Sequence, residues 1–206
     1  LSHSSAASDV YKRQAIGSQS QAQATTGEFN TSLGALSMGG GVTTGDNNVS
    51  LGHGAGYNIS SGASNVLIGA SCGDSINTGT RNVAVGFAAL AAEDGHGRNV
   101  AIGAGALNVQ NANADAYNVA IGDSSGAAVT TGIRNVLVGS FAAQSLTTGQ
   151  RNIAIGYNAL GSETAHGKNV AIGDHALATQ QAGADAFNVA VGTSAGVSVT
   201  TGVQNV

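Results

Sequence analysis

Asparagine returns at Asn30, Asn48, Asn65, Asn82, Asn99, Asn118, Asn135, Asn152, Asn169, Asn188 and Asn205, and every one but Asn30 is followed by Val or Ile. Consecutive asparagines are 17 residues apart in seven of the ten intervals, 18 in one and 19 in two. A unit this short cannot bury a core of its own, so so regular a period means that each unit is one turn of a stack and buries its apolar side against its neighbours. The spacing predicts an all-β protein, a parallel β-roll or β-solenoid of about eleven 17-residue coils.

Each unit runs Asn, Val, a small residue, Ile or Val, Gly, then a return path that often ends in Thr-Thr-Gly. Val100 and Ile102, or Val170 and Ile172, alternate with alanine at period two, which gives one aliphatic and one small face to a strand and does not fit a helix. The unit reads as strand, turn, strand, turn. Gly recurs at position five, at Gly17, Gly34, Gly52, Gly69, Gly86, Gly103, Gly122, Gly139, Gly156, Gly173 and Gly192. Only a backbone demand explains so strict a choice: a positive φ at a corner, or close approach of neighbouring coils. The Asn at position one is expected to form a ladder, its amide bonding up the stack and meeting backbone groups that the turns leave unpaired.

Two unit types alternate in pairs. Units opening at Asn82, Asn99, Asn152 and Asn169 have Leu90, Leu107, Leu160 and Leu177 at position nine, with Glu93, Gln110, Glu163 and Gln180 at position twelve. Units opening at Asn48, Asn65, Asn118, Asn135 and Asn188 have Gly56, Gly73, Gly126, Ala143 and Gly196 at nine, with Ile59, Ile76, Val129, Leu146 and Val199 at twelve. One large aliphatic per coil keeps core volume constant, and moving it by three positions implies a change of register or path in the return strand. Residues 65–134 and 135–204 repeat the four-unit cycle, the mark of segmental duplication.

Residues 1–14 stand apart. Ser4 to Gln14, SSAASDVYKRQ, resembles the translation of a transposase-based sequencing adapter, so they are expected to be an artefactual, disordered leader. The repeat region is then 15–206, expected to be an internal piece of a longer protein because it starts in mid-unit and stops at Asn205 and Val206. Without Asp9, Lys12 and Arg13 it has five basic and ten acidic residues, a formal charge of −5, which disfavours nucleic acid or an anionic membrane as partner. No apolar run is long enough for a membrane-spanning helix, and lone Cys72 allows no intrachain disulfide. Glycine at 32 of 206 residues, with no proline, suits a fibrous repeat better than an enzyme domain.

All five basic residues of the repeat region, Arg81, Arg98, Arg134, Arg151 and Lys168, immediately precede an Asn, with Tyr117 and Phe187 at two other coils. They could form a stripe for an acidic glycan. The plainer reading is a charged edge, paired loosely with Glu93, Asp94 or Glu163. His96 and His166 lie at equivalent places and could meet a metal or anion on a three-fold axis, while His53 and His175 read as exposed. Asp115 and Asp185 sit in matching Ala-Asp-Ala insertions that read as solvated bulges. Glycine clusters such as Gly39 to Gly41 lack the ending of a phosphate loop. No catalytic, cofactor-binding or further metal residue is assigned, because polar residues recur instead of converging once, although some parallel β-helices are enzymes. Thr43, Thr44, Thr130, Thr131, Thr147, Thr148, Thr200 and Thr201 raise ice binding, which would need threonine on nearly every coil.

The string Asn-Val-Ala-Ile-Gly at Asn99, Asn118 and Asn169 resembles the head repeats of trimeric autotransporter adhesins. Ala154 to Leu160, with the Thr-Thr-Gly corners, is similar to repeats of phage tail fibres. The likeness covers nearly all of 15–206, and the 17-residue period favours the fibre over the adhesin, whose repeat is shorter. The resemblance implies a homotrimeric β-roll with the small third position, Ala101 or Ala154, facing a neighbouring chain or solvent. It implies an extracellular, non-catalytic segment on a virion tail fibre or bacterial surface that spaces or presents a host-binding tip. The receptor, a cell-surface glycan or protein, would be met by regions outside this sequence; an adhesin head that itself binds matrix or cells is the alternative.

Overall fold

The computed structural model describes residues 12–206, and among them the chain forms one parallel sheet and no helix. Its strands are β1 (Arg13–Ile16), β2 (Asn30–Leu33), β3 (Val49–Leu51), β4 (Val66–Ile68), β5 (Val83–Val85), β6 (Val100–Ile102), β7 (Val119–Ile121), β8 (Val136–Val138), β9 (Ile153–Ile155), β10 (Val170–Ile172) and β11 (Val189–Val191). They lie side by side in chain order, so every unit makes one circuit and sets its strand beside the previous one. Register is unbroken: Val100, Ala101 and Ile102 pair with Val119, Ala120 and Ile121 even across a 19-residue unit. Eleven strands at about 4.8 Å each make a stack about 50 Å tall.

Residues 1–11 of the leader lie outside the described residues. Arg13 and Gln14 pair with Asn30 and Thr31 as the first half of β1. A parallel ladder asks the chain only for backbone N–H and C=O groups, which any sequence but proline supplies.

Each strand ends at the position-five glycine, and these eleven corners hold φ between 128° and 136°. A Cβ on Gly122 would lie 2.5 Å from the carbonyl carbon of Gly139 in the next coil, so the corner needs both the conformation and the space. At the other end of the strand, the Oδ1 of each Asn from Asn30 to Asn188 accepts the backbone N–H of the next Asn, at 2.8 to 3.2 Å. In most coils its Nδ2 donates to a carbonyl at the coil's own end, as from Asn48 to Gly62 (2.8 Å) and Asn135 to Gly149 (2.9 Å). One side chain thus closes its coil and ties it to the neighbour, which explains why a polar residue is kept fully buried here.

Four expectations are corrected. The small third position faces neither solvent nor a neighbouring chain: Ala101 and Ala154 are fully buried, and the flanking Val100 is half-buried while Ile102 is 36 % exposed. The position is not always small either, since Leu67 and Leu137 occupy it. The coil lumen is narrow and already filled by the return path, so from β3 to β11 the aliphatic face of the strand turns outward. The return path is no strand. It is a series of turns, and left-handed residues such as Leu90 (φ 53°), Leu107 (48°), Leu160 (56°) and Leu177 (50°) at position nine bend it back.

Nor does the path change between unit types. Gly56, Gly73 and Gly126 hold the same left-handed φ as the leucines, 57°, 55° and 59°. Positions three, nine and twelve face the lumen in both types, and bulk is traded among them. Leu137 fills the space that Gly126 leaves, where a Cβ would lie 2.6 Å from the leucine's Cδ1, and Leu67 does the same against Gly73 at 2.8 Å. Position eight supplies small buried residues whose side chains donate to the next strand's carbonyl: Ser125 Oγ to Leu137 at 3.0 Å and Cys72 Sγ to Ala84 at 3.1 Å. Burial pushes the Cys72 thiol up to about 12.

Candidate functional site

The residue before each Asn carries the chain's distinctive chemistry. Arg81, Arg98, Tyr117, Arg134, Arg151, Lys168 and Phe187 occupy this place in consecutive coils, all with left-handed φ between 53° and 64°. Backbone bonds to the preceding coil hold them, among them Arg98 N to Thr80 O at 3.1 Å and Lys168 N to Gln150 O at 3.0 Å. Identical backbone geometry, repeated at about 4.8 Å, sets these side chains in one file along the edge where the strands begin.

The acidic partners differ from those expected. Glu93 and Glu163 are fully buried and reach none of the basic residues; the pairs are Arg98 Nε to Asp115 Oδ2 (2.8 Å) and Lys168 Nζ to Asp185 Oδ2 (2.7 Å). The Ala-Asp-Ala insertions are therefore more than solvated bulges. The Oδ1 of each aspartate also accepts a backbone N–H from the coil below, Gly97 at 3.1 Å and Gly167 at 3.0 Å, which fixes the carboxylate's direction. The bond from Lys168 and that from Gly167 hold the Asp185 carboxyl below the usual range. Each paired cation lies over the aromatic ring that follows it in the file: Arg98 over Tyr117 (5.3 Å) and Lys168 over Phe187 (4.8 Å). The constellation occurs twice, 70 residues apart.

Arg81, Arg134 and Arg151 are exposed and have no ion-pair partner among the described residues. Between Arg151 and Lys168 opens a cleft of about 240 Å³ lined by Thr148, Gln150, Ala165 and Asp185 besides the two cations.

His96 and His166 sit beside the buried glutamates. Glu93 Oε1 accepts the His96 backbone N–H at 3.0 Å, and Glu163 Oε1 accepts those of Thr164 (2.9 Å), Ala165 (3.2 Å) and His166 (3.2 Å). The carboxylates thus cap turns that lack the Thr-Thr-Gly corner. The Nδ1 of His96 and of His166 lies 4.0 and 3.4 Å from the same oxygens. Desolvation raises the Glu93 carboxyl above its ordinary value, opposed by the His96 N–H and ring; its Oε2 has no hydrogen-bond partner. Among the described residues no three His, Cys, Asp or Glu side chains gather closely enough to hold a metal ion.

At the opposite corner, past the position-five glycine, lies a feature the sequence reading missed. Phe141 meets Tyr157 edge-on (5.7 Å), and Tyr157 meets His175 (5.3 Å), which pairs with Asp174 at 3.1 Å. The signal was present: counted from their asparagines, these rings fall at positions six and seven of successive units. His53 is exposed, as read, and His175 is half-buried by this stacking. The threonine corners make no uniform face, since Thr43 is buried while Thr44 and Thr131 are exposed.

No protein-family model matches this chain, and neither does any curated protein or solved structure.

Proposed function

We propose that this chain is a non-catalytic fibrous segment of a phage tail fibre or similar surface attachment protein, a homotrimeric stalk that spaces or presents a host-binding tip. The observation that carries the reading is the outward face of the sheet. From β3 to β11 every outward residue is Val, Ile or Leu, from Val49 and Leu51 to Val189 and Val191, with no charge among them.

That face is continuous from strand to strand, at least half as long again as the sheet of an ordinary domain, and on the order of 400 Å² in projection. Continuous apolar patches of this size mark contact surfaces. Another copy of the same chain offers a partner whose aliphatic rows repeat at the same interval, and a closed ring of three would leave no copy's face bare. Three, not two, follows from the likeness of the Asn-Val-Ala-Ile-Gly strings to tail-fibre and adhesin repeats.

Sedimentation equilibrium of the purified chain tests this reading. Three times the chain mass of 20.0 kDa is expected. A clean monomer at micromolar concentration overturns it.

A further inference from the structure

We propose that the file of side chains from Arg134 to Phe187 binds an extended acidic polysaccharide, with the carboxylates of successive sugars set against Arg134, Arg151 and Lys168 and a sugar face laid on Phe187. The proposal goes beyond the stalk reading, which leaves receptor contact to other regions. Only the biological source of the glycan rests on that reading.

Three cations stand on consecutive coils whose backbones are about 4.8 Å apart, so they repel one another and together attract an anion that lies along them. Asp185 answers Lys168 alone; Arg134 and Arg151 are exposed and unpaired among the described residues. A solubilising edge would be served by mixed charges placed anywhere. Here the cations share one backbone conformation and one direction, and the rest of the repeat region is acidic, so positive potential is concentrated along a single line.

The neighbouring groups select the kind of anion. The cleft beside Arg151 offers the Thr148 hydroxyl, the Gln150 amide and the Asp185 carboxylate. A fixed carboxylate repels phosphate and sugar carboxylate alike, but it accepts hydroxyl hydrogens, which a sugar ring presents on several carbons and a phosphodiester backbone lacks. Phe187 is 48 % exposed, and Tyr117, its equivalent in the other copy of the constellation, is 45 % exposed, so both keep a face free for the C–H side of a pyranose. Arg81, Arg98 and Tyr117 repeat the arrangement four coils away, so one long chain could engage both. A line of cations one coil apart suits a polymer charged at every sugar and gives nothing to a neutral one.

Calorimetric titration of the full chain with oligogalacturonate, neutral galactan and single-stranded DNA tests the proposal. Oligogalacturonate should bind, more weakly as salt rises, and galactan should not. Arg134→Ala with Arg151→Ala should weaken binding by about tenfold or more, with the circular dichroism spectrum unchanged. Asp185→Asn keeps an acceptor for the Gly167 N–H but removes the competing charge, and should tighten binding several-fold. No oligogalacturonate binding, equal binding by the double variant, or equally tight DNA binding overturns the proposal. Sedimentation of the same samples reads the stalk model separately, since a monomer that binds the glycan would remove the trimer and leave this site standing.

Discussion

Asn118 and Asn135 are joined twice across neighbouring coils. The backbone N–H of Asn135 donates to Oδ1 of Asn118 at 2.9 Å, and its Nδ2 donates to the same oxygen at 3.3 Å. The Nδ2 of Asn118 meanwhile donates to Gly132 O and Gln110 Oε1, both at 2.7 Å. Replacing Asn118 with Ala orphans several buried polar groups at once, each worth about 1 to 3 kcal/mol. A loss of at least about 3 kcal/mol in denaturant unfolding is expected, and a loss below 1 would mean that water reaches this ladder.

Gly122→Val should disrupt the stack around β7 and β8. Its φ of 135° is foreign to valine, and the Cβ would strike the Gly139 carbonyl. Strain alone costs about 1 to 3 kcal/mol, and the clash adds to it. Faster hydrogen exchange confined to the neighbouring coils, with a lower Tm, is the expected result; unchanged melting would contradict the corner geometry.

Gly126 and Leu137 share one volume in the lumen. Gly126→Ala should destabilise the chain because its Cβ falls 2.6 Å from the Leu137 Cδ1, and Leu137→Ala should destabilise it by about 2 to 5 kcal/mol through the cavity it leaves. In the double variant the added methyl has room, so a double-mutant cycle should give a favourable coupling of about 0.5 to 3 kcal/mol. Strict additivity would show that bulk is not traded between these positions.

Glu93 should make stability depend on pH. Desolvation raises its carboxyl pKa, so the folded chain holds that proton more tightly than the unfolded chain does. The folded state gains stability as pH falls through the raised value towards the ordinary one, and loses that gain as pH rises. The groups facing it are the His96 ring and Asp94. Glu93→Gln should therefore be more stable than the parent near neutral pH, with the advantage shrinking as pH falls through the raised value and gone once pH is below the ordinary value of about 4.5; an advantage that grows on acidification would reverse the assignment.

The coil, its length and its strand were legible because they answer backbone demands that recur at every unit, as at Gly122 and Asn118. Inside and outside were not. Both faces of Val100-Ala101-Ile102 are apolar, and the general rule that larger aliphatics go inward fails where Leu107 and the Asn ladder already fill a narrow lumen. Glu93 and Glu163 were misplaced for a related reason: glutamate reads as surface. Their alternation with Ile76 and Leu146 at position twelve was the clue that this position always faces in. The Asp115 and Asp185 pairings were hidden because a hydrogen bond to the coil below cannot be read from sequence distance.

In the proposed trimer the outward Val and Ile rows pack against other copies of the chain. Single cysteines at Ala120→Cys and Ile121→Cys test it directly, and buried Cys72, its thiolate suppressed, gives little background. After mild oxidation, a non-reducing denaturing gel should show covalent dimers from the cysteine at position 121 and only monomer from that at 120. Cross-linking from position 120, or monomer alone from both, would contradict it.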